Sequence, residues 1–397
     1  MTSAAAGWDV HPEQFWLRGR RPAEPVVLDE ERGVWNVYGY DEAVTALADP
    51  KTFSSAHVND LFPVDVPAEA SAGNLLDLDP PDHRKLRNLV TKGFSAKVVA
   101  GLEPRIAALT HELLDRVEGD ALELVDDLAY PLPVIVIAEL LGLPASDREL
   151  FRDWVDVLFA QNNEFSTTAD KEKLEADLAT QHEGLAPMTQ YLREHAAQRR
   201  KDPRDDLISA LVQAEVDGER LTDTELVNFT TVLLVAGHIT TTMLLGNTAL
   251  CLDAHPDQRA RLREDRVGIP TAIEESLRFL TPFTTMARAT TRAVVLGGRE
   301  IPADQMVLLS LGAANRDHRR FADADRFDAR RDPNPHLGFG RGIHFCVGAP
   351  LARLEGRIAI DILFDRFPAL RVDPELPPTF LPAPIMTGVR TLHMRTA

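Results

Sequence analysis

Apolar positions recur with helical spacing over most of the chain and alternate only in short stretches. The helical pattern covers 82–91, 98–117, 147–160, 172–199, 207–216, 222–252 and 271–280, and a further helix is predicted over 350–364. Two hairpins are expected. One joins 26–28 to 34–38 through Asp29-Glu30-Glu31-Arg32-Gly33, and the other runs from 293–296 through Gly297-Gly298 to 305–310. Strands therefore gather around Val34 and Val307, and helices outnumber them. The pattern predicts a mainly α protein with small β-sheets. With no repeat, charge block or Gly/Ser linker, the chain reads as a single domain over 1–397. Its β-rich part takes in roughly 20–60 and 285–310 plus the C-terminal segment; its helical part takes in roughly 76–280 and 311–365.

The helix predicted from Thr222 is unusually long. It opens on Thr222-Asp223-Thr224-Glu225, a capping-box pattern, and nothing stops it before His255-Pro256. About thirty residues at ~1.5 Å each reach ~45 Å, the width of a whole domain. From Leu226 to Leu252 it carries no Asp, Glu, Lys or Arg. A membrane span is the rival reading by length. Six Thr, two Asn and a His in that stretch, with acidic residues at one end, favour a buried central helix instead.

Composition narrows the function classes. The 43 Lys+Arg against 61 Asp+Glu leave a net charge of −18, which speaks against a nucleic-acid or anionic-membrane partner. Two Cys cannot make a disulfide framework, a four-Cys zinc site or a Cys-ligated iron–sulfur cluster. The opening residues lack a cationic segment followed by an apolar run, so a cytoplasmic location is expected.

One of the two thiols lies in Phe339-Gly340-Arg341-Gly342-Ile343-His344-Phe345-Cys346-Val347-Gly348-Ala349-Pro350. The glycines permit positive φ and close approach to something flat, and Pro350 suits a first helical turn. Cys346 would then precede a helix N-terminus, which favours a thiolate, with backbone N–H groups near Val347 and Gly348 available to its sulfur. Phe339 could shield it from water. A lone Cys is more often a small buried hydrophobe, the default for Cys251. A nucleophile would need a base and an orienting group, and His344 alone is weak support. The glycine spacing is not a dinucleotide fingerprint.

The complete string, Phe-Gly-x-Gly-x-His-x-Cys-x-Gly, resembles the haem-binding loop of the cytochrome P-450 family. Other motifs follow in family order over nearly the whole chain. Glu275-Ser276-Leu277-Arg278 resembles the Glu-x-x-Arg helix, and Arg326 in Asp325-Arg326-Phe327-Asp328 sits where the family completes that network. Ala236-Gly237-His238-Ile239-Thr240-Thr241 resembles the oxygen-activating segment of the long helix. Asp79-Pro80-Pro81-Asp82-His83-Arg84-Lys85-Leu86-Arg87 resembles the bacterial haem-contacting helix. The resemblance is to the soluble, actinomycete-like branch.

It implies a monomeric haem-thiolate monooxygenase holding heme b, with Cys346 as the axial ligand of the iron. His83, Arg87, Arg288 and His344 would anchor the propionates, and Phe339, Gly340, Gly348, Ala236 and Gly237 would border the haem. Thr240 and Thr241 would be the distal hydroxyls beside O2. Ile239 departs from the pattern, since the family places an acidic residue there to help relay protons. Electrons would come from a ferredoxin or flavodoxin with its NAD(P)H-dependent reductase, docking on a local basic patch with Arg84, Lys92, Arg353 and Arg357 as candidates. Segments 57–67, 165–167, 232–240, 282–285 and 385–387 would line the substrate pocket, with Phe62, Val232, Val235, Ile239, Phe283, Thr284, Ile385 and Met386 as candidates. Their apolar character suits a bulky lipophilic molecule, hydroxylated or epoxidised in secondary-metabolite or antibiotic biosynthesis, such as a polyketide macrolide or a carrier-tethered intermediate. A haem sensor or carrier without turnover would keep Cys346 but not need the threonines. A cysteine hydrolase or transferase is the third class.

Overall fold

The computed structural model describes residues 8–64, 71–159, 165–216 and 219–397. The helix Asp223–Asp253 runs uninterrupted for 31 residues. Its capping box is formed: the Glu225 N–H donates to Thr222 Oγ1 at 3.2 Å, and the Thr222 N–H donates to Glu225 Oε2 at 2.8 Å. It packs against Pro131–Leu141, Lys171–Lys201, Ile269–Phe279 and Ala349–Arg366. Every residue from Thr241 to Leu252 is buried. Over that half the helix is apolar all round because protein surrounds it.

Pro131–Leu141 is a helix that periodicity does not announce. Nine of its residues are buried, so no polar face breaks the apolar run. Its prolines fall in the first turn, where the missing N–H costs nothing. The predicted helix over 98–117 divides into Ala96–Gly101 and Glu103–Leu114, because Pro104 begins a new helix. The one over 207–216 ends at Gln213, and Glu215–Val216 pairs as a strand with Glu219–Arg220.

The main sheet has five strands: β1 (Val26–Asp29), β2 (Val34–Val37), β3 (Phe53–Ser54), β4 (Thr285–Thr290) and β5 (Met306–Ser310), in the order β1-β2-β5-β4-β3. β1 and β2 form the first predicted hairpin, with Val26 opposite Val37. The second hairpin is corrected. Val294–Leu296 turns through Gly297-Gly298 onto Arg299–Ile301, while β5 lies parallel to β2 and antiparallel to β4. All five residues of β5 are buried, which fits an interior strand rather than the arm of an isolated hairpin. β4 carries Arg288, and β3 leads into Ser55, so the sheet presents both toward the Cys346 loop.

Candidate active site

The Cys346 loop is shaped by its own backbone. Gly340 and Gly342 have φ of 67° and 73°, and a Cβ on Gly342 would lie 2.3 Å from the Leu47 carbonyl oxygen, so only glycine fits there. The Cys346 N–H returns to the Phe339 carbonyl at 2.9 Å. The helix Ala349–Arg366 starts just beyond. Burial pushes the Cys346 thiol up, against the N–H groups of Gly348 and Ala349 and the cations Arg87 and Arg353, all of which favour the thiolate. The second N–H thus comes from Ala349 rather than Val347. Cys251 is fully buried in the long helix, and burial raises its pKa as well.

His83, Arg87, Arg288 and His344 converge from the helix Asp82–Gly93, β4 and the Cys346 loop. The rings of His83 and His344 stand 4.4 Å apart. Burial is the main cause holding all four below their usual proton affinities, and neighbouring cations depress the two histidines further. Arg288 is lowered to about 10 and His344 to about 3. Among the described residues no carboxylate is hydrogen-bonded to any of the four. His83 Nε2 is buried with no partner. Four donors gathered with no carboxylate bonded to them, and only Asp79 acting on His83 and Arg288 through space, one of the four orphaned, make a cradle for a dianionic group.

Sequence reasoning missed what orients this cluster. Ser55 Oγ lies 3.1 Å from His344 Nε2, and Asp79 accepts from the Ser55 N–H at 3.1 Å and from the Ser54 hydroxyl. The only signal was Asp79 inside its motif.

Glu275 and Arg278 are fully buried and paired through two 2.8 Å hydrogen bonds. Arg326 does not complete this network. Its side chain is exposed, and only its carbonyl takes part, accepting from Arg278 at 2.9 Å. Arg331 supplies the third charged group, with Nε 3.0 Å from Glu275 Oε2, and Asn334 adds Nδ2 at 3.2 Å. The chain turns after Phe327, so the guanidinium that reaches back comes five residues later than the motif suggests.

On the long helix Ala236 is exposed, and Val232, Val235, Gly237, Ile239 and Thr240 are only partly buried, although the next twelve residues are all inside. The helix is not broken at Gly237. A Cβ there would lie 2.7 Å from Ile137 Cγ1, so this glycine serves close packing with Pro131–Leu141. Thr240 Oγ1 donates to the Ala236 carbonyl at 3.0 Å. Thr241 is buried, which leaves Thr240 as the hydroxyl on the open side. Of the other pocket candidates, Phe62, Phe283 and Ile385 are partly open, with Phe62 against Phe165. Thr284 and Met386 are buried instead, the first bonded to the Pro384 carbonyl and the second held at its carbonyl by Gln14 at 2.6 Å. Positions 65–67 lie outside the described residues.

The sequence profile described as Cytochrome P450 matches residues 26–268 and 269–390, nearly the full length. The chain belongs to the cytochrome P450 family. Cyclomarin C epoxidase CymV of Salinispora arenicola is 47% identical over 96% of this P450 and 94% of its own length. Erythromycin C-12 hydroxylase of Saccharopolyspora erythraea is 46% identical over 90% and 88%. The crystal structure of HmtT, involved in himastatin biosynthesis, superposes with a TM-score of 0.89 at 55% identity and covers 100% of both chains. The mainly helical architecture with small sheets is the P450 fold, and the enzyme is a monooxygenase whose cofactor is haem held by a cysteine thiolate. The residues fit that group: the sulfur would come from Cys346, the propionate donors from the four-residue cradle. Haem on a thiolate supplies the reductive activation of O2 that protein side chains lack.

Proposed function

We propose that this P450 hydroxylates or epoxidises a bulky lipophilic secondary metabolite, one at a time as a cytoplasmic monomer, late in that molecule's assembly. The observation that carries this reading is the partly open apolar face of the long helix, Val232, Val235 and Ile239, beside Thr240. Phe62 and Phe283 add aromatic surface without adding charge. Such a wall binds by area and orients by few polar contacts. Relatives support the class: one is solved with erythromycin B, and another is called a post-tailoring hydroxylase in himastatin biosynthesis. Thr240 holds water on the open side, and Ile239 offers no carboxylate to move a proton, so proton delivery falls to water and to hydroxyls of the substrate. A candidate metabolite should shift the haem spin state on titration and gain one oxygen atom on turnover with redox partners; a metabolite panel that does neither overturns the reading. Cys346→Ser should abolish the red-shifted band of the reduced, CO-bound protein, whereas Cys251→Ser should keep it.

The electron donor in this reading is an acidic ferredoxin or flavodoxin with its reductase. Phe345, beside the ligand cysteine, is 38% exposed. Arg84 and Arg341 are exposed near it, on the helix and loop that His83 and His344 bring together. Arg353 and Arg357 are already paired with Glu274 and Glu103. The side chain of Lys92 lies outside the described residues. Arg84→Glu should therefore slow reduction by an acidic donor more than Arg357→Glu, and stopped-flow reduction at low salt distinguishes them.

A further inference from the structure

Glu274 directly precedes Glu275 but takes no part in its network. Its carboxylate is held by the Arg353 fork, Nε to Oε1 and Nη2 to Oε2, both at 2.7 Å. His336 Nε2 lies 2.9 Å from Oε2. His336 Nδ1 accepts the Gly338 N–H at 3.0 Å, so the ring proton sits on Nε2 and is donated to Glu274. Arg353 also lies over the Phe339 ring, 4.5 Å from its centre. Phe339 in turn takes the Cys346 N–H on its carbonyl. Arg353 is close enough to the sulfur to favour the thiolate. Burial alone would raise the Glu274 carboxyl, but Arg353 and His336 outweigh it and hold it at about 2.

We propose that Glu274 is a positioning residue for the cysteine ligand: it clamps Arg353 over the Phe339 ring and cancels that cation's charge, and so sets the reduction midpoint of the haem. The proposal rests on Cys346 holding haem. One-electron reduction adds one negative charge at the centre, with no proton moved and no protein bond changed. An unbalanced cation beside the sulfur favours the reduced state, and an unbalanced anion opposes it. The effect is screened because the Arg353 side chain is 40% exposed. With Glu274 in place the pair is neutral and its geometry is fixed by the fork, the ring and His336.

Potentiometric titration of the holoenzyme, followed through its visible spectrum, tests this. Glu274→Gln should raise the midpoint and Arg353→Gln should lower it. Each should change the reduction equilibrium about threefold, or roughly 30 mV at 59 mV per tenfold for one electron. The double variant restores a neutral pair and should return close to wild type. Unmoved midpoints overturn the proposal. So do two single variants that shift the same way with effects that add in the double, which is the mark of structural damage. Should Arg353→Gln fail to retain haem, Arg353→Lys keeps the charge without the fork and should hold the wild-type midpoint; a large shift there also overturns it. A wild-type protein lacking the red-shifted CO band would instead overturn the thiolate assignment itself.

Discussion

Thr240 donates its hydroxyl proton to the Ala236 carbonyl, which leaves its oxygen lone pairs as what it offers to the open side. In the proposed function it would act as an acceptor for water or a substrate hydroxyl. In the proposed reading Ile239, which has no carboxylate, leaves proton supply to depend on that one oxygen. Thr240→Ala should lower the substrate oxidised per NAD(P)H consumed several-fold, with the lost electrons appearing as peroxide. Unchanged coupling would sink the assignment. Ile239→Glu should raise coupling for a substrate without a nearby hydroxyl and change little for one that supplies its own. Thr241, placed beside it by the motif, is buried and donates to the Gly237 carbonyl at 3.4 Å, so Thr241→Val should leave coupling close to wild type.

At the scale of elements, the Glu275 helix shows how far local sequence carries. Glu275 and Arg278 stand one turn apart, so their pairing follows from spacing alone. Their third partner comes from a loop more than fifty residues away, and the chain's turn after Phe327 decides that Arg331, not Arg326, reaches them. Removing Arg331 leaves a fully buried carboxylate short of a partner. Arg331→Ala should destabilise by about 1.5–3 kcal/mol, since Arg278 still pairs Glu275, whereas Arg326→Ala should stay within about 0.5 kcal/mol. Denaturant unfolding of the two variants checks the ranking, and equal losses would refute it. The same division runs through the rest of the fold. The Cys346 loop and the long helix were legible because their signals are contiguous: a glycine-spaced string, a capping box, an uncharged run. Pro131–Leu141 was not, since burial on every side erases periodicity. The partner of β5 was not either, because Gly297-Gly298 marks a turn without saying which strand comes next to which. Ser55 and Asp79 behind His344 belong to the same class, joined only by tertiary contact.

For the whole molecule, two buried groups outside the site make opposite demands on pH. His238, enclosed in the long helix, is held down to about 4 by burial, with its Nε2 unpartnered. The unfolded chain binds a proton there below about 6.5, so stability falls as pH drops from that value toward 4. Glu355, enclosed in Ala349–Arg366 with Oε2 unpartnered, is pushed up to about 8 by burial. Here the folded state keeps the proton and the unfolded chain loses it above about 4.5, so stability falls as pH rises from there to 8. Between about 4.5 and 6.5 the two slopes oppose each other, and above that range only the Glu355 slope of the two remains. The net charge of −18 adds self-repulsion in the same alkaline direction, so a falling limb in the wild type does not by itself identify Glu355. Glu355→Gln separates the two, because it keeps a neutral group of the same shape and leaves the surface charge nearly unchanged. The variant should gain a few kcal/mol over wild type at pH 9 compared with pH 6, read as the difference in unfolding midpoints of the holoenzyme. A variant whose stability follows the wild type across both values would place the alkaline limb on the surface charge instead.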